Sequence, residues 1–358
     1  MPRSNTLRED CHAGPNEPST PTTHDHPPSA ELFFRTALGY QQTAALKGAV
    51  ELDLFTAIGQ GKGTARELAD ECKASERGVR ILCDYLCVLG FLTKEGQRYQ
   101  LSSDSAMFLD RHSPAYMGGV LTFLLSPHIT DNFKDVAALV RHGGTLQSEG
   151  ATIAPEHPAW VTFARAMIPM MAMPAQSIAR LAGDGAAGPL KVLDIAAGHG
   201  IFGIEIANLN PAAEVVAQDW PNVLQVAQEN ARAAGLADRY RTLPGNAFEV
   251  DFGGGYDLVL LTNFLHHFDA ASNERLLRKV PAALKPGGRA VTLEFIPNPD
   301  RISPTIPATF ALMMLGTTPK GDAYTFAELE RMFMNAGFAR NECHELQPSP
   351  QCVVISYK

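Results

Sequence analysis

Apolar and polar positions follow two different periods along the chain. Up to about residue 185 they recur mainly with helical spacing, and beyond it short apolar runs alternate with amphipathic stretches. The apolar runs predict strands at LKVLDI, EVVAQ, YRTL, YDLVLLT, GRAVTLEF, NECHEL and CVVISY. The stretches between them predict helices that include 201–209, 221–234, 271–284 and 325–336. Alternating strands and helices are typical of an α/β domain built on a mostly parallel sheet.

The last two strands differ from the others in how they are joined. Only QPSPQ separates them, which is too short for a helical crossover. We therefore expect an antiparallel hairpin at one edge of the sheet.

The segment before residue 113 has a different order of elements. Three helical stretches, ELFFRTALGYQQTAALKGAVELDLFTAI, TARELADEC and ERGVRILCDYLCVLGFL, precede the short extended pair within TKEGQRYQLS. Thr64 with Glu67 predicts a capping box, and Gly96 supplies the turn of the extended pair. This order resembles a winged helix.

These patterns divide the chain into four parts. We predict a disordered tail over 1–29, a mainly helical winged-helix domain over 30–112, a helical connector over 113–185 and an α/β domain over 186–358. The tail has no apolar run of the signal-peptide kind, and no stretch is apolar for long enough to cross a bilayer. The 6 cysteines include no CxxC pair. We expect a reduced, cytoplasmic protein that needs no metal and has no membrane partner.

Charge bears on the choice of partner. The chain carries 30 Lys+Arg against 38 Asp+Glu, a net charge of −8, so its overall field repels nucleic acid. Residues 61–100 hold seven basic side chains against six acidic ones, and the helix near 76–90 is apolar enough for packing against another protein. We favour a small-molecule partner and no nucleic acid. A ligand-sensing DNA-binding regulator is the alternative from a different class.

The turn after the first predicted α/β strand carries the most specific pattern. Asp194 ends the strand, and small residues that include Ala196, Gly198 and Gly200 lead into a helix whose free N–H groups face a ligand. Asp219 ends the next strand, where a carboxylate can bind both hydroxyls of a ribose. The third glycine of the dinucleotide fingerprint is absent, which argues against a nicotinamide cofactor.

On these motifs, residues 192–338 resemble class I S-adenosylmethionine-dependent methyltransferases. From Ala30 onward the chain is similar to small-molecule O-methyltransferases that carry a winged-helix dimerisation domain. The resemblance implies a Rossmann-like sheet of seven strands, mostly parallel with an antiparallel edge hairpin. It also implies S-adenosyl-L-methionine as cofactor and a homodimer.

The resemblance assigns cofactor binding residue by residue. The positions are Asp194, Ala196, Gly198, Gly200, Asp219, Trp220, Asn246, Ala247, Phe248 and Thr262. Trp220 would pack on adenine, and Asn246 stands where the family has an acid, so that it keeps an acceptor oxygen for the adenine amino group. Alanine at 196 does not permit every geometry with a positive φ, so the loop is expected to sit slightly differently.

The same resemblance assigns catalysis to TNFLHHFD and to the strand GRAVTLEF. His266 takes the position of the general base, for which an ordinary histidine pKa near 6.5 is suitable. Glu294 matches the acid that orients that histidine. The alternative is structural: the histidines fill a strand-to-helix turn and Glu294 caps a loop. His267 stands where the family has Asp, and Asp322 is a displaced substitute for the family's second acid.

Apolar residues at helical spacing predict the acceptor pocket. They are Phe163, Met167, Met170, Met313 and Met314. The alternative for such a set is plain core packing. We expect methyl transfer to a hydroxyl of an aromatic or polycyclic small molecule, in a cleft between the connector helices and the sheet. Methylation of nitrogen or carbon, or another tailoring reaction on the same fold, is the nearest rival.

Overall fold

The computed structural model describes residues 28–147, 151–183 and 188–358. Most of the tail predicted over 1–29 lies outside them. The described residues divide into two compact units, one that ends at residue 44 and one that begins at residue 45. No helix among the described residues is both long and apolar enough to span a membrane.

The N-terminal part has the predicted order of elements. Its helices and strands are α1 (Glu31–Ala37), α2 (Gly39–Glu51), α3 (Leu54–Gly59), α4 (Ala65–Cys72), α5 (Glu76–Val88), β1 (Leu92–Glu95), β2 (Arg98–Leu101) and α6 (Ser103–Phe108). Strands β1 and β2 pair antiparallel about a turn in which Gly96 has a φ of 58°. The capping box of Thr64 and Glu67 begins α4. The predicted order, helices followed by a short antiparallel hairpin, is confirmed.

Helices dominate the described residues between 113 and 183, where the sequence predicted a helical connector. They are α7 (Leu121–Leu124), α8 (Pro127–Thr130), α9 (Val136–His142), α10 (Pro158–Ala166) and α11 (Ile168–Gly183). Proline in the first turn begins both α8 and α10, where its missing N–H leaves no helical hydrogen bond unmade.

The α/β domain follows. Its strands are β3 (Leu190–Ile195), β4 (Ala213–Asp219), β5 (Tyr240–Pro244), β6 (Tyr256–Thr262), β7 (Leu284–Glu294), β8 (Arg340–Glu345) and β9 (Cys352–Tyr357). Its helices are α12 (Ile201–Leu209), α13 (Pro221–Ala233), α14 (Ala270–Leu277), α15 (Val280–Ala283), α16 (Thr305–Thr317) and α17 (Phe326–Asn335).

The seven strands form one sheet in the order β5-β4-β3-β6-β7-β9-β8. Strands β3 to β7 are parallel, and β9 pairs antiparallel with both β7 and β8. The predicted parallel sheet and edge hairpin are therefore confirmed. The chain runs outward from β3 to β5 and then returns to place β6 on the other side of β3. Ligands of open α/β sheets bind at such a reversal, beyond the carboxyl ends of the strands.

Side chains of the central strands alternate between two cores. Val192 and Leu258 belong to the cluster on the α11–α12 face, whereas Leu193 and Val259 belong to the cluster on the α14–α17 face. A strand with both faces buried reads as a continuous apolar run, as LKVLDI and YDLVLLT do.

One predicted helix is wrong in its extent. The pattern predicted a single helix over 271–284, but α14 ends at Leu277 and α15 covers only Val280–Ala283. Pro281 has no N–H to donate to the carbonyl of Leu277, so the helix is interrupted there. Strand β7 then begins at Leu284, before the predicted GRAVTLEF.

Candidate active site

A cavity of about 590 Å³ lies beyond the carboxyl ends of the parallel strands. The turns after β3, β4, β5 and β6 form one side of it, and residues of α10, α11 and α16 form the other. Most of the lining side chains are aromatic, aliphatic or methionine. The arrangement suits a flat apolar molecule that lies against the polar residues at the carboxyl ends of the strands.

The turn after β3 is held in a tight backbone conformation. Ala196, Gly198 and Gly200 all have positive φ, of 53°, 57° and 75°. A left-handed alanine costs roughly 1–2 kcal/mol, so surrounding contacts must hold the turn in place. A side chain at Gly200 would collide with the Tyr240 hydroxyl. Glycine is therefore required at 200 by packing as well as by conformation.

Asp219 ties the turn after β3 to the end of β4. One carboxylate oxygen accepts the Gly198 N–H at 2.8 Å, and the other accepts the Trp220 N–H at 2.7 Å. Removal from bulk water raises the pKa of Asp219 to about 6, against the lowering effect of these two donors. A carboxylate has about four acceptor positions, so capacity remains on Asp219 for two further donors from the cavity.

The turn after β5 forms another part of the wall. The Asn246 side-chain oxygen accepts the Phe248 N–H at 3.0 Å, and its amide group donates to Glu249 at 3.1 Å. The carbonyls of Ala247 and Val250 both accept from the Lys279 ammonium, at 2.7 and 2.8 Å. Lys279, which does not line the cavity, therefore holds the turn in place through these two hydrogen bonds.

His266 and Glu294 form a buried pair at the ends of β6 and β7. His266 Nδ1 lies 2.5 Å from Glu294 Oε2, and the two side chains are 6% and 4% exposed. Glu294 Oε1 accepts the N–H groups of Phe264 and Leu265, at 3.1 and 2.8 Å. The carboxylate therefore contacts both the histidine ring and the backbone of the turn. Both alternatives given for Glu294 from the sequence, orientation of the histidine and capping of a loop, correspond to contacts in the structure.

Other aromatic rings surround His266. Phe310 meets it edge-on at 4.9 Å between centroids and stacks on Phe295 at 4.3 Å. The His267 ring lies 4.2 Å from His266 and 5.0 Å from Trp160. Burial, reinforced by His266, lowers the pKa of His267 well below its ordinary value. His267 is thus a neutral ring in the wall of the cavity.

The apolar residues predicted for the acceptor pocket all line this cavity. They are Phe163, Met167, Met170, Met313 and Met314. Met167 and Met314 are also 4% and 3% exposed, so they pack in the interior at the same time. The two sequence alternatives, core and pocket, do not exclude each other here.

Comparison with known proteins decides the family. A profile of the O-methyltransferase domain matches residues 162–339, and a profile of the O-methyltransferase dimerisation domain matches residues 34–111. A Nostoc punctiforme protein, solved as a candidate O-methyltransferase, is 56% identical over 93% of this chain and 100% of its own, with a TM-score of 0.90. The chain belongs to the O-methyltransferase family.

More distant relatives agree with this assignment. The 3-hydroxy-5-methyl-1-naphthoate 3-O-methyltransferase of Streptomyces sahachiroi is 26% identical over 86% of this chain and 88% of its own. Human N-acetylserotonin methyltransferase, solved in complex with S-adenosylmethionine, shares the fold at 21% identity and a TM-score of 0.80, covering 94% and 99% of the two chains. Proteins named for methylation at carbon and at nitrogen also match. The chain is therefore a methyltransferase of the S-adenosylmethionine-dependent class.

The cavity of this methyltransferase brings together eight of the ten residues assigned to the cofactor from sequence. They are Ala196, Gly198, Asp219, Trp220, Asn246, Ala247, Phe248 and Thr262. Asp194 and Gly200 do not line it. Asp194 lies fully buried beneath the turn, where it accepts the Gly203 N–H at 3.3 Å, and burial raises its pKa to about 7. Its contacts support the start of α12 rather than the cavity wall.

The displaced second acid also lies away from the cavity of the methyltransferase. The Asp322 carboxylate pairs with Arg301 at 3.4 Å, and both side chains are more than 40% exposed. Arg301 also pairs with Glu328, whose capping box with Thr325 begins α17 as predicted. Asp322 therefore belongs to a surface ion-pair group.

Sequence reasoning missed several residues of the cavity wall. Phe310 and Trp160 both contact the histidine pair through their rings, and His199 stacks on Phe163 at 5.8 Å. Helical spacing could have found the first two, because 310 precedes 313 and 314 by about one turn and 160 stands one turn before 163. Nothing in the spacing around His199 indicates its contact with Phe163.

Proposed function

We propose that the enzyme transfers the methyl group of S-adenosylmethionine to a hydroxyl of an aromatic or polycyclic small molecule, with His266 as general base. The observation that carries the proposal is the contact of His266 Nδ1 with the Glu294 carboxylate. An ionised carboxylate only accepts hydrogen bonds, so Nδ1 carries the ring proton. The lone pair of the imidazole is then on Nε2, the nitrogen that remains for the acceptor.

The residues at the carboxyl ends of the parallel strands fit the cofactor. Asp219 has acceptor capacity left for the two ribose hydroxyls, and Trp220 and Phe248 offer apolar surface for adenine. A Cβ on Gly198 would project toward Phe163, 3.7 Å from its ring, so glycine keeps open the space beside the turn. Asn246 keeps one acceptor position for the adenine amino group. When bound, S-adenosylmethionine supplies an electrophilic methyl group on its sulfonium.

His266 and Glu294 divide the proton chemistry between them. The acceptor hydroxyl gives its proton to His266 Nε2 as the oxygen becomes nucleophilic, which is general base catalysis. Glu294 stabilises the imidazolium that results, and its two backbone donors keep the carboxylate from rotating away. Alignment of the reacting groups by the cavity wall contributes several further kcal/mol of barrier reduction.

The shape of the acceptor side supports an aromatic substrate. Phe163, Phe310 and Trp160 present ring faces and edges, and the methionines beside them adapt to irregular ligands. The choice of a hydroxyl acceptor rests on the proton-accepting histidine, since methylation at carbon or nitrogen depends less on such a base.

We also propose that residues 30–112 form the dimerisation domain of a homodimer, as the match of residues 34–111 supports.

Glu294→Gln is the sharpest test of the base assignment. The side-chain oxygen of the glutamine stays with the N–H groups of Phe264 and Leu265, so its NH₂ group faces His266 Nδ1. It then donates to Nδ1 and moves the ring proton to Nε2, which removes the base. We expect kcat to fall by roughly 100- to 10,000-fold, as in other wrong-tautomer variants, with the Kd of S-adenosylmethionine unchanged.

Two further variants serve as reference. His266→Ala should lose kcat to a similar degree, because it removes the same group. Glu214→Gln, at an exposed strand position outside the cavity lining, should keep the wild-type kcat. A wild-type kcat in Glu294→Gln or in His266→Ala would contradict the base assignment. Calorimetry serves as the folding control: an unchanged Kd of S-adenosylmethionine would show that the variant sites remain folded.

A further inference from the structure

The acceptor side of the cavity carries no positively charged side chain. Across residues 28–147, 151–183 and 188–358, no lysine or arginine lines the cavity. The ionisable groups that do line it are the Asp219 carboxylate and the imidazoles of His199, His266 and His267. Asp219, the carboxylate among them, is negative when ionised and lies on the cofactor side.

Two of the three imidazoles are held in the neutral form. Burial lowers the pKa of His199 to about 4, and burial together with His266 lowers that of His267 well below 6.5. His199 Nδ1 also accepts the Ile201 N–H at 3.3 Å, which needs an unprotonated nitrogen. Neither ring therefore supplies a cation near neutral pH. The third, His266, is the proposed base.

Four neutral donors of the acceptor wall are already used, whereas His199 Nε2 has no hydrogen-bond partner among the described residues. The hydroxyls of Thr152, Thr309 and Thr317 donate to the carbonyls of Thr317, Ile306 and Met313, at 2.8, 3.1 and 2.8 Å. The Trp160 indole N–H donates to the carbonyl of Thr152 at 2.6 Å. An anionic group on the acceptor would have to leave water and would gain neutral donors only, either in place of one of these bonds or from His199.

We infer that the acceptor is a hydroxylated aromatic compound that carries no carboxylate, sulfonate or phosphate, and that this chain selects against such anions. The inference rests on the proposed function and narrows its substrate class. Its physical basis is desolvation, because an anion that is remote from the sulfonium of the cofactor and has neither a cationic side chain nor several donors beside it is costly to bury. An ester, ketone, quinone or additional hydroxyl carries no such cost, since it is uncharged.

A set of matched compounds tests the inference. The probes are 6-hydroxy-2-naphthoic acid, its methyl ester and its primary amide, in which the hydroxyl is remote from the varied group. Calorimetry with the S-adenosylhomocysteine-bound enzyme measures the Kd of each. We expect the acid to bind about 100-fold more weakly than both neutral compounds, with the same order in kcat/KM where methylation is followed. Equal binding of the acid and the amide would overturn the inference.

A lysine in the wall provides a gain-of-function test. Met313→Lys places a cation on α16 where it lines the cavity, and it should improve the Kd of the acid relative to the ester by about tenfold. The matched control is Leu312→Lys, at a residue on the same helix that is 49% exposed and does not line the cavity. An equal improvement in both variants would show a general charge effect and contradict the inference.

The inference and the proposed function fail in different ways. If the ester binds and is not methylated, the proposed reaction is wrong while the preference in Kd still stands. If the acid binds and is methylated as well as the ester, the reaction stands and the charge selection is wrong.

Discussion

At the scale of single residues, Asp219 connects the cofactor site to pH. The account needs its carboxylate ionised, because only that form accepts both ribose hydroxyls in addition to its two backbone donors. Its pKa of about 6 therefore sets the lower limit of tight binding. The Kd of S-adenosylmethionine should be constant above about pH 7 and rise by up to about tenfold per unit as the pH falls below about 6.

Asp219→Asn is the control for this pH dependence. The amide cannot ionise and has fewer acceptor positions, so its Kd should be higher at neutral pH and nearly flat across the same range. Circular dichroism at each pH confirms that the fold is intact. A wild-type Kd in Asp219→Asn, or the same slope with pH, would exclude ribose binding by this side chain.

Residue identities near the reacting groups could be predicted from the sequence, whereas burial could not. The motif around His266 and the strand-end Glu294 predicted the pair that the structure brings to 2.5 Å. Asp194 belongs to an equally specific motif, yet it lies beneath the turn and not in the cavity wall. A sequence pattern gives the chain position of a carboxylate, and the direction of its side chain depends on the packing of α12.

At the scale of elements, the turn that follows β5 depends on the side chain of Lys279. The Lys279 ammonium donates to the carbonyls of Ala247 and Val250 and lies 4.2 Å from the centre of the Phe252 ring. Lys279→Met removes both bonds, so the turn that carries Asn246 and Phe248 loses its support. We expect the Kd of S-adenosylmethionine to rise about tenfold, with the KM of the acceptor little changed.

The control for this effect is a lysine whose partner lies outside the cavity. Lys285 pairs with Asp257 at 2.9 Å outside the cavity, so Lys285→Met should leave the cofactor Kd unchanged. Lys279→Arg, which keeps the charge and the donors, should restore much of the affinity. A parallel rise in acceptor KM, or no rescue by arginine, would mean that Lys279 supports the fold in general and does not position the turn.

Elements were the most predictable level of the structure. Strands such as LKVLDI and YDLVLLT have the predicted bounds because both their faces are buried and because proline, small or polar residues flank them. The helix predicted over 271–284 was wrong because periodicity took no account of the missing N–H of Pro281. The wall from α10 and α16 was predicted only in part, since the meeting of these helices depends on long-range packing.

At the scale of the whole molecule, helix α1 of the first compact unit exposes large apolar side chains. Leu32, Phe33 and Phe34 of α1 are 65%, 68% and 59% exposed. Exposed aromatic patches of this kind mark association surfaces. We expect light scattering with size exclusion to give twice the mass of one chain, and Phe33→Asp with Phe34→Asp to shift it toward one. A monomeric wild-type protein at working concentration would contradict the proposed homodimer.

The account as a whole depends on the atom that receives the methyl group. The most direct measurement uses S-adenosylmethionine labelled with ¹³C at its methyl group, the purified enzyme and an uncharged polyhydroxylated naphthalene, followed by ¹³C NMR of the product. The account predicts a new methoxy carbon, formed by the wild type and by Glu214→Gln and nearly absent with His266→Ala. Label attached to a ring carbon, or a methoxy product formed equally fast without His266, would contradict it.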